Sequence, residues 1–134
     1  MLGGRAPYLN SVIDKAKLLS LNIEVTVDAD DMAQRMVDAD LAIGAAGSTS
    51  WERCCLGLPT VMMVLADNQK TIAKNLALDG VVFDVLDVPS IINKVQEIVI
   101  GDDINLQEMS TRCFQIADGD GVKKVCCLMR LSSI

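Results

Sequence analysis

Short apolar or β-branched runs alternate along the chain with segments in which apolar residues recur at helical spacing. Four such runs predict strands, at residues 23–27, 41–45, 60–65 and 81–85. Runs of this length and composition are typical of parallel strands that are buried on both faces of a sheet. We therefore expect a sheet with a covered core rather than an antiparallel sheet with one face in water.

The segments between these runs predict helices, because their apolar residues recur at intervals of three and four. The predicted helices cover residues 8–21, 30–39, 50–56, 69–78 and 90–98, and a terminal helix follows the turn at residues 118–121. Gly57, Pro59 and Gly80 mark helix ends. Strands and helices in strict alternation predict right-handed βαβ units, and hence an α/β fold with a Rossmann-like parallel sheet and helices on both faces.

The 134 residues predict a single domain, 1–134, with a core of ordinary size. The opening residues, "MLGG", resemble the end of a strand that enters a glycine turn. A doubly wound sheet normally has a full strand at this place, so the sequence predicts that the domain is truncated at its N-terminus.

Composition and charge narrow the choice of partners. The chain is 51% apolar and 22% charged, which predicts a globular fold. Its net charge is −6 and its twelve basic residues are scattered, so we expect no nucleic-acid partner. No apolar run is long enough to span a bilayer, and the first ten residues lack the pattern of a signal peptide. These features predict a cytoplasmic protein without a membrane partner.

The five cysteines and the absence of histidine bear on chemistry. Cys54, Cys55, Cys113, Cys126 and Cys127 show no CxxC spacing, and the chain contains no histidine. We therefore expect no metal site, no redox motif and no cofactor, and we interpret the cysteines as small core residues in a reducing compartment. The commonest general base at neutral pH is missing as well.

The stretch "AIGAAGSTSWERCCLGLP", residues 42–59, is the candidate site. Gly47 and three hydroxyl residues lie between a predicted strand and a predicted helix, at the carboxyl edge where α/β sheets bind ligands. Backbone N–H groups at such a helix start suit a phosphate, and glycine lets it approach closely. Two structural alternatives remain open. Thr49 and Glu52 match a capping box, and Gly47 fits a tight turn.

The residues "DLAIGAAGSTSWERCCLGLPTVMMVLADNQ", 40–69, resemble the carboxyl-terminal half of the UDP-sugar hydrolases of pseudaminic acid biosynthesis, the PseG family. They are more distantly similar to the nucleotide-binding half of MurG, a glycosyltransferase. Both families have the GT-B architecture, in which two Rossmann-like halves flank a cleft and the second half holds most of the UDP. A weaker likeness extends over most of the chain, through "DADDMAQRMVDAD" and "DGDGVKKV".

The resemblance implies roles for six residues of this chain. Gly47, Ser48 and Thr49 would contact the diphosphate of UDP or a UDP-linked sugar, and Glu52 would accept hydrogen bonds from the ribose. Asn68 and Gln69 would reach the pyrophosphate or the sugar, and the uracil would lie near residues 3–7. For Asn68 the alternative is that it caps the helix beginning at Gln69.

The chain departs from this family in one respect that concerns catalysis. The family's catalytic base is a histidine in the amino-terminal half, and this chain contains neither that half nor any histidine. The resemblance therefore implies a partner, the missing amino-terminal domain, and no catalytic residue here. It implies a parent enzyme that hydrolyses a UDP-linked 2,4-diacetamido-2,4,6-trideoxy sugar. The alternatives are a MurG-like transferase half and a non-catalytic fragment or interaction module.

Overall fold

The computed structural model describes residues 1–101 and 104–129. The chain divides into two compact units, Met1–Met32 and a larger one that begins at Ala33. Each unit is described by itself.

The first unit contains one helix, α1 (Leu9–Leu18), and one pair of bridged residues. Leu2 pairs in parallel with Val27: the Leu2 N–H donates to the Thr26 carbonyl over 2.9 Å, and the Asp28 N–H donates to the Leu2 carbonyl over 3.0 Å. The Asp28 carboxylate accepts from the Gly4 N–H over 2.7 Å. These bonds fix the turn that follows Leu2.

Two predictions for this unit are wrong in extent. The predicted strand at residues 23–27 is reduced to the single bridge at Val27, because the chain turns at Gly4 and Arg5 and only Leu2 pairs with it. The predicted helix 8–21 spans only Leu9–Leu18, because the backbone becomes extended at Leu19, whose N–H donates to the Ala16 carbonyl.

The second unit carries the sheet. Its elements are α2 (Met32–Val37, which begins at the last residue of the first unit), β1 (Ala42–Ala45), α3 (Thr49–Cys55), β2 (Thr60–Met63), a 3₁₀ helix (Asp67–Gln69), α4 (Lys70–Leu78), β3 (Val82–Val85), α5 (Val88–Ile100), α6 (Leu106–Ile116) and α7 (Gly121–Leu128). The three strands are parallel and lie in the order β1-β2-β3. Ala45, Met63 and Val85 are aligned at their carboxyl ends.

Helices cover both faces of this sheet. On one face Met62 and Val82 pack in a buried cluster with Cys54 of α3, Leu76 of α4 and Cys113 of α6. The opposite face is covered by α5, which contacts β2 and β3. There the Lys94 ammonium lies 5.3 Å from the centroid of the Phe83 ring. The predicted fold class, a Rossmann-like parallel sheet with helices on both faces, is confirmed.

The sequence predicted strands that are buried on both faces, and this prediction is wrong for β1 and β3. Only β2 is central, and Thr60, Val61 and Met62 are buried. In β1 the Ile43 side chain is 57% exposed, and in β3 Asp84 is exposed. Among the described residues β1 and β3 are edge strands of the three-stranded sheet, so each lacks a neighbour on one side.

Helix α6 was not predicted, and the other helices differ from their predictions mainly at the ends. The Asn105 side chain caps α6 by accepting from the Glu108 N–H over 2.9 Å, and Met109 and Cys113 are buried. Helix α2 is shorter than the predicted 30–39, and Met36 is its one buried residue.

None of the helices within residues 1–101 and 104–129 combines the length and apolar character needed to cross a membrane.

Candidate functional site

The loops that follow β1 and β2 lie side by side at one edge of the sheet. Ala45 and Met63 are paired at the ends of these strands, and the Ala46 N–H donates to the Met63 carbonyl over 3.3 Å. Parallel strands leave the sheet at the same edge, where α/β folds bind ligands. The six residues predicted to bind the nucleotide lie in these two loops and in the first turn of α3.

The β1–α3 loop offers a row of polar groups. Ser48 is exposed, and Gly47 and Thr49 are half-buried. The backbone N–H groups of these three residues have no hydrogen-bond partner among the described residues. Buried or half-buried N–H groups are usually paired with protein, water or a ligand, so this loop has donors to offer an incoming anion.

The alternative interpretation of Thr49 and Glu52 as a capping box is wrong. Ser48 occupies the N-cap position and Thr49 is the first helical residue, so Glu52 is one position too far along for the reciprocal bond. The backbone closes this first turn instead: the Ser50 N–H donates to the Gly47 carbonyl over 3.0 Å, and the Trp51 N–H donates to the Ser48 carbonyl over 3.1 Å. The exposed Glu52 carboxylate has no hydrogen-bond partner among the described residues.

In the β2–α4 loop the interpretation of Asn68 as a helix cap is also wrong. Asn68 lies inside the 3₁₀ helix, and the N-cap positions of that helix and of α4 are Ala66 and Gln69. Neither position has a side-chain capping hydrogen bond. The Asn68 side chain is exposed at the sheet edge, and its amide is available to a ligand.

Gln69 has a structural contact that the sequence did not predict. Its side-chain oxygen accepts from the Leu65 backbone N–H over 3.0 Å and closes the loop after β2. This bond fixes the orientation of the amide, so the NH₂ group of Gln69 remains available as a donor. A structural role and a ligand-binding role are therefore compatible for this residue.

Sequence reasoning missed Arg53. The guanidinium is half-buried against β1, and its Nη1 donates to the Ala45 carbonyl over a long 3.4 Å. Burial lowers the pKa of Arg53 below its ordinary value, while the negative charge of Glu52 opposes this shift. The signal that could have found Arg53 is its spacing in α3. It lies three residues after Ser50 and one before Cys54, which are the two buried residues of this helix, so helical periodicity places Arg53 beside the buried side.

The five cysteines are free, and their burial differs. Cys54 and Cys113 are buried in the same cluster, where the Cys113 thiol donates to the Val81 carbonyl over 3.9 Å, and the interaction with Cys54 together with burial raises the pKa of the Cys113 thiol. Cys127 is exposed, so the interpretation of every cysteine as a core residue is wrong for this one. Within residues 1–101 and 104–129, no group of three or more His, Cys, Asp or Glu is placed to hold a metal ion.

Two cavities lie at the opposite edge of the sheet, where the strands begin. One has a volume of about 340 Å³ and is lined by residues that include Gly80, Phe83 and Arg112. The other, of about 350 Å³, is lined by residues that include Asp40 and Pro59. Neither cavity includes any of the six residues predicted to bind the nucleotide.

The parallel sheet, its two helical layers and the polar loops at its carboxyl edge define the Rossmann-like class of ligand-binding α/β domains. Residues 2–124 match the family model of the glycosyltransferase family 28 C-terminal domain, and the chain belongs to this family. It is accordingly a GT-B-like carboxyl-terminal half, as the resemblance implied at the level of architecture. No curated protein and no solved structure matches the chain.

Proposed function

We propose that this chain binds the nucleotide of a UDP-linked sugar at the carboxyl edge of its sheet. The observation that carries the proposal is membership of the glycosyltransferase family 28 C-terminal domains over residues 2–124. Domains of this family serve as the nucleotide-sugar-binding halves of glycosyltransferase-like proteins. The two polar loops beside Ala45 and Met63 supply donors and acceptors at the edge where such a ligand binds.

Each of the six residues has a role that its position supports. The unpartnered N–H groups of Gly47, Ser48 and Thr49 donate to the diphosphate, as do the two hydroxyls. The exposed Glu52 carboxylate accepts from the ribose hydroxyls. The amides of Asn68 and Gln69, from the neighbouring loop, donate to the pyrophosphate or the sugar.

For the reaction we propose hydrolysis of a UDP-2,4-diacetamido-2,4,6-trideoxy sugar, on the strength of the PseG-like residues 40–69. Cleavage between the anomeric carbon and UDP needs a positioned water and a base opposite the leaving group. The chain has no histidine among its 134 residues, so its contribution is to hold the leaving UDP. Residues 1–134 then form one functional half, and an amino-terminal domain supplies the base.

The second candidate is the donor-binding half of a MurG-like glycosyltransferase. The family match itself favours it, because the matched domain is described as a glycosyltransferase domain. Both candidates use the same UDP pocket and differ in the group that attacks the anomeric carbon. The residues that decide between water and a sugar acceptor belong to the other half.

Titration of the chain with UDP, followed by NMR, tests the binding proposal. We expect UDP to shift backbone amides of residues 46–52 and 65–69, and ADP to bind more weakly. The double variant Ser48→Ala with Thr49→Ala should weaken UDP binding. Ser11→Ala, which removes an exposed hydroxyl from α1, is the matched control and should leave it unchanged. Absence of UDP-dependent shifts in both loops would overturn the proposal.

Release of UDP from a UDP-linked 2,4-diacetamido-2,4,6-trideoxy sugar tests the reaction. The chain alone should release none, because it lacks the base. With an amino-terminal half added, release into water alone indicates the hydrolase, and release that requires a sugar acceptor indicates the transferase. Release by the chain alone that scales with its concentration would show that the catalytic base lies within these 134 residues.

A further inference from the structure

Arg53 carries a half-buried positive charge that no ion pair with a described residue neutralises. The one hydrogen bond of its guanidinium to a described residue is the 3.4 Å contact of Nη1 with the Ala45 carbonyl. No carboxylate of the described residues forms an ion pair with the guanidinium, and the adjacent Glu52 acts on it only through its longer-range charge. A guanidinium has five N–H donors, so most of its donors are unused by the described protein.

Such an arrangement is unfavourable unless something else satisfies the charge. Charged side chains are rarely removed from water without a partner, because a buried charge loses its hydration. The lowered pKa of Arg53 reflects this desolvation. Arginine nevertheless stays protonated in proteins, so the positive charge persists at the edge of the sheet.

The neighbouring strand is shaped to admit this side chain. A Cβ at position 44 would overlap the Nη2 atom of Arg53, and the Arg53 Cζ atom would lie 2.9 Å from it. Gly44 therefore leaves the space in which the guanidinium rests on β1. The side chain is held next to Ala45, the last residue of the strand, and Gly47 follows two residues later.

We propose that Arg53 binds the anionic group of the ligand, and that Gly44 is the residue that positions its guanidinium for this contact. The ligand group is the diphosphate of the nucleotide, so this inference rests on the proposed function. The planar guanidinium matches phosphate oxygens in a bidentate geometry. Arg53 thus supplies the positive charge that the row of loop N–H groups lacks.

Comparison of UDP with uridine tests the contact, because the two ligands share the nucleoside and differ in the diphosphate. In Arg53→Gln we expect UDP affinity to fall roughly 10- to 100-fold, the range of a charge-assisted hydrogen bond, with uridine affinity unchanged. Arg53→Lys should recover part of the loss, since it keeps the charge but not the bidentate geometry. Gly44→Ala should weaken UDP in the same selective way, because its Cβ displaces the guanidinium.

The matched control is Arg112→Gln. Arg112 is an exposed arginine of α6 whose Nη2 is paired with Glu108 over 2.5 Å, and its loss should leave both affinities unchanged. If Arg53→Gln weakens UDP and uridine equally, Arg53 has only a structural role and the inference is wrong. Unchanged UDP affinity in Arg53→Gln would overturn it as well.

Binding of inorganic pyrophosphate distinguishes a failure of this inference from a failure of the proposed function. If the wild-type chain binds pyrophosphate through Arg53 but binds neither UDP nor uridine, the anion contact stands and the nucleotide assignment fails. If UDP and uridine bind and Arg53→Gln changes neither, the proposed function stands and the role of Arg53 fails. If the wild-type chain binds none of the three ligands, both are overturned.

Discussion

The side-chain oxygen of Gln69 accepts a hydrogen bond from the backbone N–H of Leu65 over 3.0 Å, across the loop that leaves β2. This bond ties the first exposed residues after the strand to the start of α4. It also orients the amide of Gln69, so that its NH₂ group is the part left for a ligand. The loop therefore depends on the amide oxygen of Gln69, and the proposed ligand contact depends on the amide nitrogen of the same group.

Gln69→Glu separates the role of the amide oxygen from the role of the amide nitrogen. The carboxylate keeps an acceptor for the Leu65 N–H, so we expect the free energy of unfolding to stay within about 0.5 kcal/mol of wild type. It removes the NH₂ donor and adds a negative charge, so UDP affinity should fall. Gln69→Ala removes both the oxygen and the nitrogen of the amide, so it should weaken UDP binding and also lower the free energy of unfolding by about 0.5–1.5 kcal/mol. Denaturant unfolding and UDP titration measure the two effects, and wild-type UDP affinity in Gln69→Glu would restrict Gln69 to closing the loop.

Gly57 ends α3 with a backbone conformation that suits glycine. Its φ is +68°, and the Leu58 N–H donates to the Arg53 carbonyl over 2.9 Å in the pattern of a Schellman motif. A Cβ at this position would also overlap the Phe114 ring and lie 2.8 Å from the Ser110 Oγ. We expect Gly57→Ala to lower the free energy of unfolding by at least about 1–2 kcal/mol, because the overlap with Phe114 adds to the cost of a left-handed L-residue.

Gly121→Ala is the control for this substitution. Gly121 is the first residue of α7, where φ is not positive and a Cβ would meet no atom within 4 Å. Alanine should be neutral or slightly stabilising there, because it is the better helix former. Denaturant unfolding compares the two variants, and equal stability of both would show that α3 does not depend on the conformation of Gly57.

The site illustrates what the sequence could predict. The strand before Gly47, the turn and the helix after it were predictable, because apolar runs and glycine punctuation are local signals. The N-cap was not, since Ser48, Thr49 and Ser50 are all good capping residues and backbone hydrogen bonds select among them only in the folded chain. The contact between Gln69 and Leu65 likewise depends on the 3₁₀ turn at Asp67–Gln69, which the apolar pattern does not encode.

The missed helix and the shortened strand have different causes. Helix α6 has a local signal, since Asn105 and Glu108 stand at capping distance and Met109 and Cys113 are four residues apart. The signal for this helix is therefore local. The strand predicted at residues 23–27 depends on a partner, and no sequence pattern within it shows that Leu2 alone pairs with it.

Asp87 makes the stability of α5 depend on pH. Its carboxylate accepts from the Ser90 hydroxyl over 2.5 Å and from the Ser90 N–H over 2.8 Å, and these bonds, the hydroxyl first, hold the pKa of Asp87 below its ordinary value. A carboxyl whose pKa is lowered on folding stabilises the fold above its unfolded pKa, about 4. That contribution is lost as the pH falls through the lower, folded pKa.

Asp87→Asn isolates this charge, because asparagine also caps helices but does not titrate. We expect wild type to unfold at a higher temperature than Asp87→Asn at neutral pH, and the two midpoints to converge below about pH 4. Asp87→Ala should unfold at the lowest temperature, since it removes the cap altogether. Thermal unfolding followed by circular dichroism between pH 2 and pH 7 gives the comparison. A constant difference between wild type and Asp87→Asn across this range would contradict the assigned cause.

For Glu52 the structure excludes the capping box, which was the alternative to a ribose contact. Because Ser48 is the N-cap, the Glu52 carboxylate closes no capping box, and Glu52→Gln should leave the free energy of unfolding within about 0.5 kcal/mol of wild type. A carboxylate that accepts from ribose hydroxyls should lose roughly 1.5–3 kcal/mol of uridine affinity when its charge is removed. Uridine is the better probe here, because Glu52 also lies beside the charge of Arg53 and its removal changes the field at the diphosphate.

The control ligand is 2′,3′-dideoxyuridine, which lacks the 2′ and 3′ hydroxyls of the ribose, and the control variant is Glu108→Gln, on the exposed surface of α6. If Glu52 binds the ribose, Glu52→Gln weakens uridine and leaves dideoxyuridine unchanged, whereas Glu108→Gln affects neither. Equal losses for the two ligands would mean that Glu52 acts on the shape of the loop rather than on the sugar. Unchanged uridine affinity would exclude the ribose contact, because no hydrogen bond from a hydroxyl to a carboxylate survives the loss of that charge without a measurable cost.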